Sequence, residues 1–176
     1  MTIYDMSTTN RHIDILNEFT VQSGIMRKIK NITLKTYQEE ASLVHYGNKR
    51  KDPYMLSLID LDEPVDIDLI NHLERIQPDF ILFKENTYQW NQKGTRLAGC
   101  PDLVVEVWSD SNTQIDKELK FLIYSNSNGK TEHWYIEQDS NEVKCYLGEK
   151  QLESQSLTNV LKTQAGFEFD LRSVAL

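Results

Sequence analysis

Two apolar runs in this sequence each contain a Pro-Asp pair, and both carry acids where a strand would bury them. The first, residues 76–83, reads IQPDFILF; the second, residues 102–108, follows Pro101 and reads DLVVEVW. Their β-branched and aromatic content, with proline before and a Ser-Asp-Ser-Asn cluster after the second run, predicts strands. Proline suits the first position of a strand, where its missing N–H costs least. Alternation along the second run sets Leu103, Val105 and Val107 on one face and Asp102, Val104 and Glu106 on the other. In the first, Asp79 shares a face with Ile81 and Phe83. A strand as apolar as residues 102–108 belongs in the middle of a sheet, so Glu106 is an acid headed for burial. Carboxylates leave water only with a cation or hydrogen-bond donors, because desolvation otherwise neutralises them. A metal, a lysine or backbone donors must meet this one.

The next segment supplies a lysine. Ile115, Leu119, Leu122 and Ile123 recur at helical spacing over residues 113–127, with Asn112 or Thr113 as the cap and Gly129 as the stop. On the helical wheel Asp116 and Lys120 fall together at the edge of that stripe, an edge that can face the polar side of the strand. The competing role is an exposed i,i+4 ion pair, which stabilises a helix by roughly 0.2–0.5 kcal/mol. If the two Pro-Asp strands pair, acids from distant positions converge on one site with Lys120 close by.

Taken in order, QPDFILF, GCPDLVVEVWS, the Asp116-to-Lys120 spacing with Tyr124 behind it, GKTEHWYI and AGFEFDL resemble the Uma-two group of restriction endonucleases, within the PD-(D/E)XK nuclease superfamily. The order and spacing of the pieces carry the resemblance. It covers residues 76–176 and leaves 1–75 divergent within a single nuclease-like domain of residues 1–176. It implies an α/β (α+β) fold, a restriction-endonuclease-like mixed sheet with an αβββαβ core and extra C-terminal strands. It further implies Asp79, Glu106 and Lys120 as catalytic residues, a metal held by Asp79 and Glu106 with Asp102 beside them, and supporting acids at Asp102 and Asp116. The superfamily's first core helix often offers another acid, which makes Glu18 the candidate. In the parent pattern the lysine stands two residues after the acid on the same strand; here that place is Trp108, and Lys120 replaces it from the following helix.

The implied cofactor is Mg2+, with Mn2+ as a substitute, and no organic cofactor. Magnesium takes oxygen ligands and keeps several waters, so two carboxylates, a backbone carbonyl and a substrate phosphate suffice. Such an ion activates water and neutralises charge on the leaving oxygen, while a lysine orients the water or stabilises the phosphorane-like charge. The expected reaction is metal-dependent hydrolysis of DNA phosphodiester bonds. The alternative is a catalytically inactive nuclease-fold protein that binds nucleic acid or protein, which the missing in-strand lysine, the divergent opening and the acidic balance all permit. A serine or cysteine hydrolase is disfavoured, since no glycine-flanked nucleophile elbow is present and Cys100 precedes a proline.

The composition sets bounds. At 176 residues and 39% apolar content the chain is long enough for a core without staples. No apolar run approaches membrane-spanning length and no signal-peptide pattern opens the chain, so a cytoplasmic protein is expected. Cys100 and Cys145 indicate neither a disulfide framework nor a zinc site. The net charge of −8 excludes a general nucleic-acid coat but not a nuclease with a local basic wall. Arg27, Lys28 and Lys30, and Lys49, Arg50 and Lys51, are the available clusters, and they are solvated faces unless the fold sets them beside Asp79 and Glu106. Paired cuts on duplex DNA would suit a two-fold homodimer.

Elsewhere, residues 1–10 are expected to fray, and 10–30 to be loosely helical with a break at Ser23 and Gly24. His12 reads as structural or solvent-facing. Residues 32–61 suggest strands or a long hairpin. The acids at 60, 62, 63, 66 and 68 lead into a short helix at 66–74, since a calcium loop would need a glycine and a terminal glutamate that are absent. Residues 84–99 form the turn between two antiparallel neighbours, where Tyr88, Trp90 and Arg96 either pack or stack on a base. Residues 131–137 and 142–147 form a hairpin.

Overall fold

The computed structural model describes residues 4–30, 35–38, 41–47, 56–61, 65–84 and 87–176. Its helices are α1 (Tyr4–Lys30), α2 (Ile67–His72) and α3 (Gln114–Ser125). Its strands are β1 (Lys35–Gln38), β2 (Ser42–Tyr46), β3 (Ser57–Leu58), β4 (Glu74–Ile76), β5 (Phe80–Phe83), β6 (Gln89–Trp90), β7 (Arg96–Ala98), β8 (Leu103–Trp108), β9 (Glu132–Glu137), β10 (Glu142–Leu147), β11 (Lys150–Gln151), β12 (Gln155–Ser156), β13 (Val160–Lys162) and β14 (Glu168–Asp170).

The principal sheet runs β1-β5-β8-β9-β10-β11, with β12 also on β10. β5 pairs antiparallel with both β1 and β8, β8 runs parallel to β9, and β9 and β10 form the antiparallel hairpin. A parallel pair needs a crossover, and α3 is that crossover. The order α1, β1, β5, β8, α3, β9 is the expected αβββαβ core, followed by extra strands at the C-terminal end.

Burial on both faces explains the nearly continuous apolar text of β5 and β8. On one face Ile15, Leu16 and Phe19 of α1 pack against Phe80, Leu82, Leu103, Val105, Val107 and Trp134, closed by Phe169 of β14. On the other, Ile81, Phe83, Val104 and Tyr135 meet Ile123 and Tyr124 of α3. Glu106, alternating with Val105 and Val107, faces α3.

A second sheet, β3-β2-β7-β6 with β4 on β2, flanks the first, and β13 with β14 forms a small third one. The segment between β5 and β8 therefore does more than turn: β6 and β7 are added to the second sheet. Its exit needs a glycine, because a Cβ on Gly99 (φ +140°) would stand 2.6 Å from the Thr87 carbonyl oxygen. Within 32–61 the expected strands form: β2 and β3 pair antiparallel with His45 opposite Leu58, while β1 joins the principal sheet instead.

Helix α1 begins at Tyr4, ahead of the expected start, and passes through Ser23 and Gly24 unbroken. The buried Ser23 hydroxyl donates to the Phe19 carbonyl at 2.7 Å, which satisfies it inside the helix. Helix α3 is capped by Thr113, and the chain leaves it through left-handed Asn128 (φ 55°) and Gly129 (φ 69°). Helix α2 is shorter than expected and starts at its cap Asp66, whose carboxylate accepts from Asp68 N–H. No described helix is long and apolar enough to cross a membrane. Lys49, Arg50 and Lys51, with Asp62 and Glu63, lie outside the described residues.

Candidate active site

Phe80 lies opposite Val105 and Ile81 opposite Val104 in the β5–β8 ladder, so one step further the register brings Asp79 beside Glu106. Asp79 accepts the Val107 N–H at 2.8 Å through Oδ2, and its Oδ1 stands 3.9 Å from His12 Nε2 on α1. Glu106 is 1% exposed. Its Oε2 accepts from Lys120 Nζ at 2.7 Å and its Oε1 from the Tyr124 hydroxyl at 2.6 Å. Lys120 also donates to the Gln77 carbonyl at 3.2 Å, so its ammonium spans β8 and the approach to β5. Lys120 and Tyr124 are one turn apart on α3, which lets a single helix face deliver both donors to one carboxylate.

Burial pushes the Glu106 carboxyl up to about 7; the Lys120 charge opposes that rise, the neighbouring Asp79 charge adds to it, and the two hydrogen bonds oppose it. The Tyr124 hydroxyl is driven well above its ordinary value by burial first and by the Glu106 charge second. Burial thus disfavours the ionised form of Glu106, and nearby positive charge favours it.

The other acids lie elsewhere. Asp102 is four residues from Glu106, about 13 Å along the strand. There its Oδ2 accepts the Lys84 N–H at 2.7 Å and its own N–H reaches the Leu82 carbonyl, which ties off the far end of the β5–β8 pair. Asp116 completes the cap of α3: its N–H donates to Thr113 Oγ1, and Thr113 Oγ1 donates to its Oδ2 at 2.8 Å. Lys120 points to Glu106 instead of forming the i,i+4 pair. Glu18 falls on the helix edge shared by Arg11 and Gln22, whose partners are the Ser140 carbonyl and the Asp170 N–H, on the side away from Asp79. The side chain that α1 brings to Asp79 is His12. Its signal was in the sequence, since His12, Leu16 and Phe19 share one helical face. Tyr124 was likewise legible as the residue one turn beyond Lys120.

The basic cluster Arg27, Lys28 and Lys30 closes α1, about 22 Å along the helix from His12. Tyr88 and Trp90 pack edge-on or tilted against Tyr37 and Phe83 of the principal sheet, and Arg96 donates to the Leu73 carbonyl, so all three are engaged within the fold. Burial pushes the Cys145 thiol up to about 11.

Among the described residues no group of three or more His, Cys, Asp and Glu is gathered for a metal. The adjacent Asp79 and Glu106 nonetheless offer hard oxygen donors whose mutual repulsion a divalent cation relieves, so the donor set fits magnesium in type.

A family model described as "Putative restriction endonuclease" matches residues 48–175. The chain belongs to this family, Uma2. The Uma2 match begins upstream of residue 76, so that β3, α2 and β4 are family structure as well. The crystal structure of a protein described as a "putative nuclease belonging to DUF820", from Anabaena variabilis ATCC 29413, aligns with a TM-score of 0.59 at 16% identity, over 94% of this chain and 82% of that one. At that identity the likeness carries the fold, and the fold is nuclease-like. No curated protein matches. Uma2 membership makes a restriction-endonuclease-like nuclease the activity class of this chain, a class that works with divalent metals.

Proposed function

We propose that the protein is a magnesium-dependent endonuclease that hydrolyses DNA phosphodiester bonds at Asp79, Glu106 and Lys120. The observation that carries this reading is the lysine. Lys120 reaches from α3 to within 2.7 Å of a buried carboxylate beside a second acid, which restores from a helix the cation that Trp108 displaces from the strand. Asp79 and Glu106 hold the metal, which when bound supplies a Lewis acid for the phosphate and a more acidic water. Val107 N–H fixes Asp79, and Tyr124 fixes Glu106. Lys120 stabilises the charge that develops on the phosphoryl oxygens, in a setting where burial strengthens its field. Paired cuts by a two-fold dimer extend the same reading, and light scattering would then give twice the 20.6 kDa chain mass.

Calorimetric titration of manganese, with cleavage assays run alongside, tests the proposal. Binding and cleavage by the wild type, both lost in Asp79→Asn and Glu106→Gln, are expected; a protein that neither binds the ion nor cuts DNA overturns it. A second reading, a nuclease fold that binds without turnover, draws support from one observation. Both Glu106 oxygens already accept a hydrogen bond, from Lys120 and from Tyr124, so the carboxylate is answered without a metal, which would have to share its remaining lone pairs.

A further inference from the structure

Trp108 stands in the parent position of the lysine, and what surrounds it forms a cavity of about 510 Å3 between α3 and the β9–β10 hairpin. That size falls within the range of about 300–1,000 Å3 typical of small-molecule sites. Trp108 packs tilted against Tyr135 with ring centres 4.5 Å apart. Phe121 and Tyr146 form a further wall, edge to face at 4.9 Å. The Trp108 indole N–H is itself buried and has no acceptor among the described residues, a donor whose desolvation is uncompensated.

Charge narrows the occupant. Lys117 lies 4.8 Å over the Trp108 ring and pairs with Glu137 at 3.2 Å. Lys144 and Glu118 complete the charged lining, so two lysines balance two glutamates. A neutral aromatic lining suits an uncharged planar ring better than a phosphate. Position narrows it further. Trp108 is two residues beyond Glu106 on the same strand face, about 7 Å away, close to the step between successive nucleotides of an extended strand.

We infer that this cavity receives an unstacked DNA base next to the scissile phosphate, so that the substrate is single-stranded or locally opened DNA. The inference rests on the nuclease reading above and deepens it by naming the substrate form. Stacking on aromatic side chains is sequence-tolerant, because every base has a π-face. The role considered for Tyr88 and Trp90 is thus reassigned to a different aromatic cluster.

The test measures binding of labelled single-stranded DNA to the Glu106→Gln protein in EDTA, which prevents turnover, with wild-type cleavage in manganese followed in parallel. A strand carrying abasic sites is expected to bind at least about fivefold more weakly than the intact strand, in line with the worth of one stacked base. Tyr146→Leu, added to that protein, is expected to weaken the intact strand by a similar factor while leaving the abasic strand unchanged. Equal binding of the two strands, or equal weakening of both by Tyr146→Leu, overturns the inference; if the wild type still cuts DNA, the nuclease reading survives it. A wild type that neither binds nor cuts overturns both. The abasic comparison needs no change in the cavity, so it remains decisive should Tyr146→Leu fail to fold.

Discussion

Replacing Lys120 with methionine removes the cation 2.7 Å from Glu106 Oε2 and keeps most of the side-chain volume. The carboxyl, already raised to about 7 by burial, is expected to rise further and stay protonated at neutral pH, and DNA cleavage to be lost; carbon-detected NMR titration of the Glu106 carboxyl checks the first and a cleavage assay the second. The same group sets a pH dependence of stability. Its folded value, about 7, lies above its ordinary value of 4.5, so the folded state holds a proton that the unfolded chain has already released. The stabilising contribution is complete below about pH 4.5 and is lost as pH rises through about 7, on the order of 3 kcal/mol across the window. Urea unfolding at pH 4.5 and pH 8 should show wild type losing this much relative to Glu106→Gln, whose side chain does not titrate.

At the scale of elements, everything Lys120 does depends on where α3 starts. Thr113 caps the helix and exchanges hydrogen bonds with Asp116. Thr113→Ala is expected to lower stability by about 0.5–2 kcal/mol, measured by urea unfolding. Gly99→Ala should be more severe, because the added methyl meets backbone at 2.6 Å; reduced soluble yield and a lower Tm are the readouts. These elements also show what the text of the chain reveals. β5, β8, α3 and the β9–β10 hairpin were legible because both-sided burial, cap and turn residues write strong local patterns. So was the meeting of Asp79, Glu106 and Lys120, given the family resemblance. The continuity of α1 was not, because Ser23 and Gly24 look like a break until the serine hydroxyl finds the Phe19 carbonyl within its own helix. Nor was the position of Asp102, which shares a face with Glu106 yet is separated from it by four residues of extended chain. Sharing a face is a property of period, whereas sharing a site also requires distance.

Across the whole molecule, Arg11 joins the start of the chain to its end. Its guanidinium donates to the Gln138 and Ser140 carbonyls in the β9–β10 turn and to the Val174 carbonyl. Asn141, in the same turn, exchanges hydrogen bonds with Leu176. Hydrogen bonds to a charged donor contribute about 1.5–3 kcal/mol each at most, and several acceptors lose their partner at once. Arg11→Ala is expected to destabilise the fold by about 2–3 kcal/mol and to raise amide exchange in the β9–β10 turn and at residues 171–176 together, as seen by hydrogen–deuterium exchange. With a net charge of −8 the chain as a whole repels a polyanion, so affinity for the proposed DNA substrate would have to come from contacts within the site.

The move of the lysine from strand to helix has a consequence in time as well as in space. A lysine two residues from the acid would be present as soon as β8 exists. Here the cation arrives from fourteen residues away, and only when α3 has docked on the sheet. A chain still emerging or locally opened, with its strands paired but the crossover helix loose, holds two facing carboxylates and no ammonium. If the proposed chemistry holds, the site gains its cation only on completion of folding, and a half-made copy would lack it.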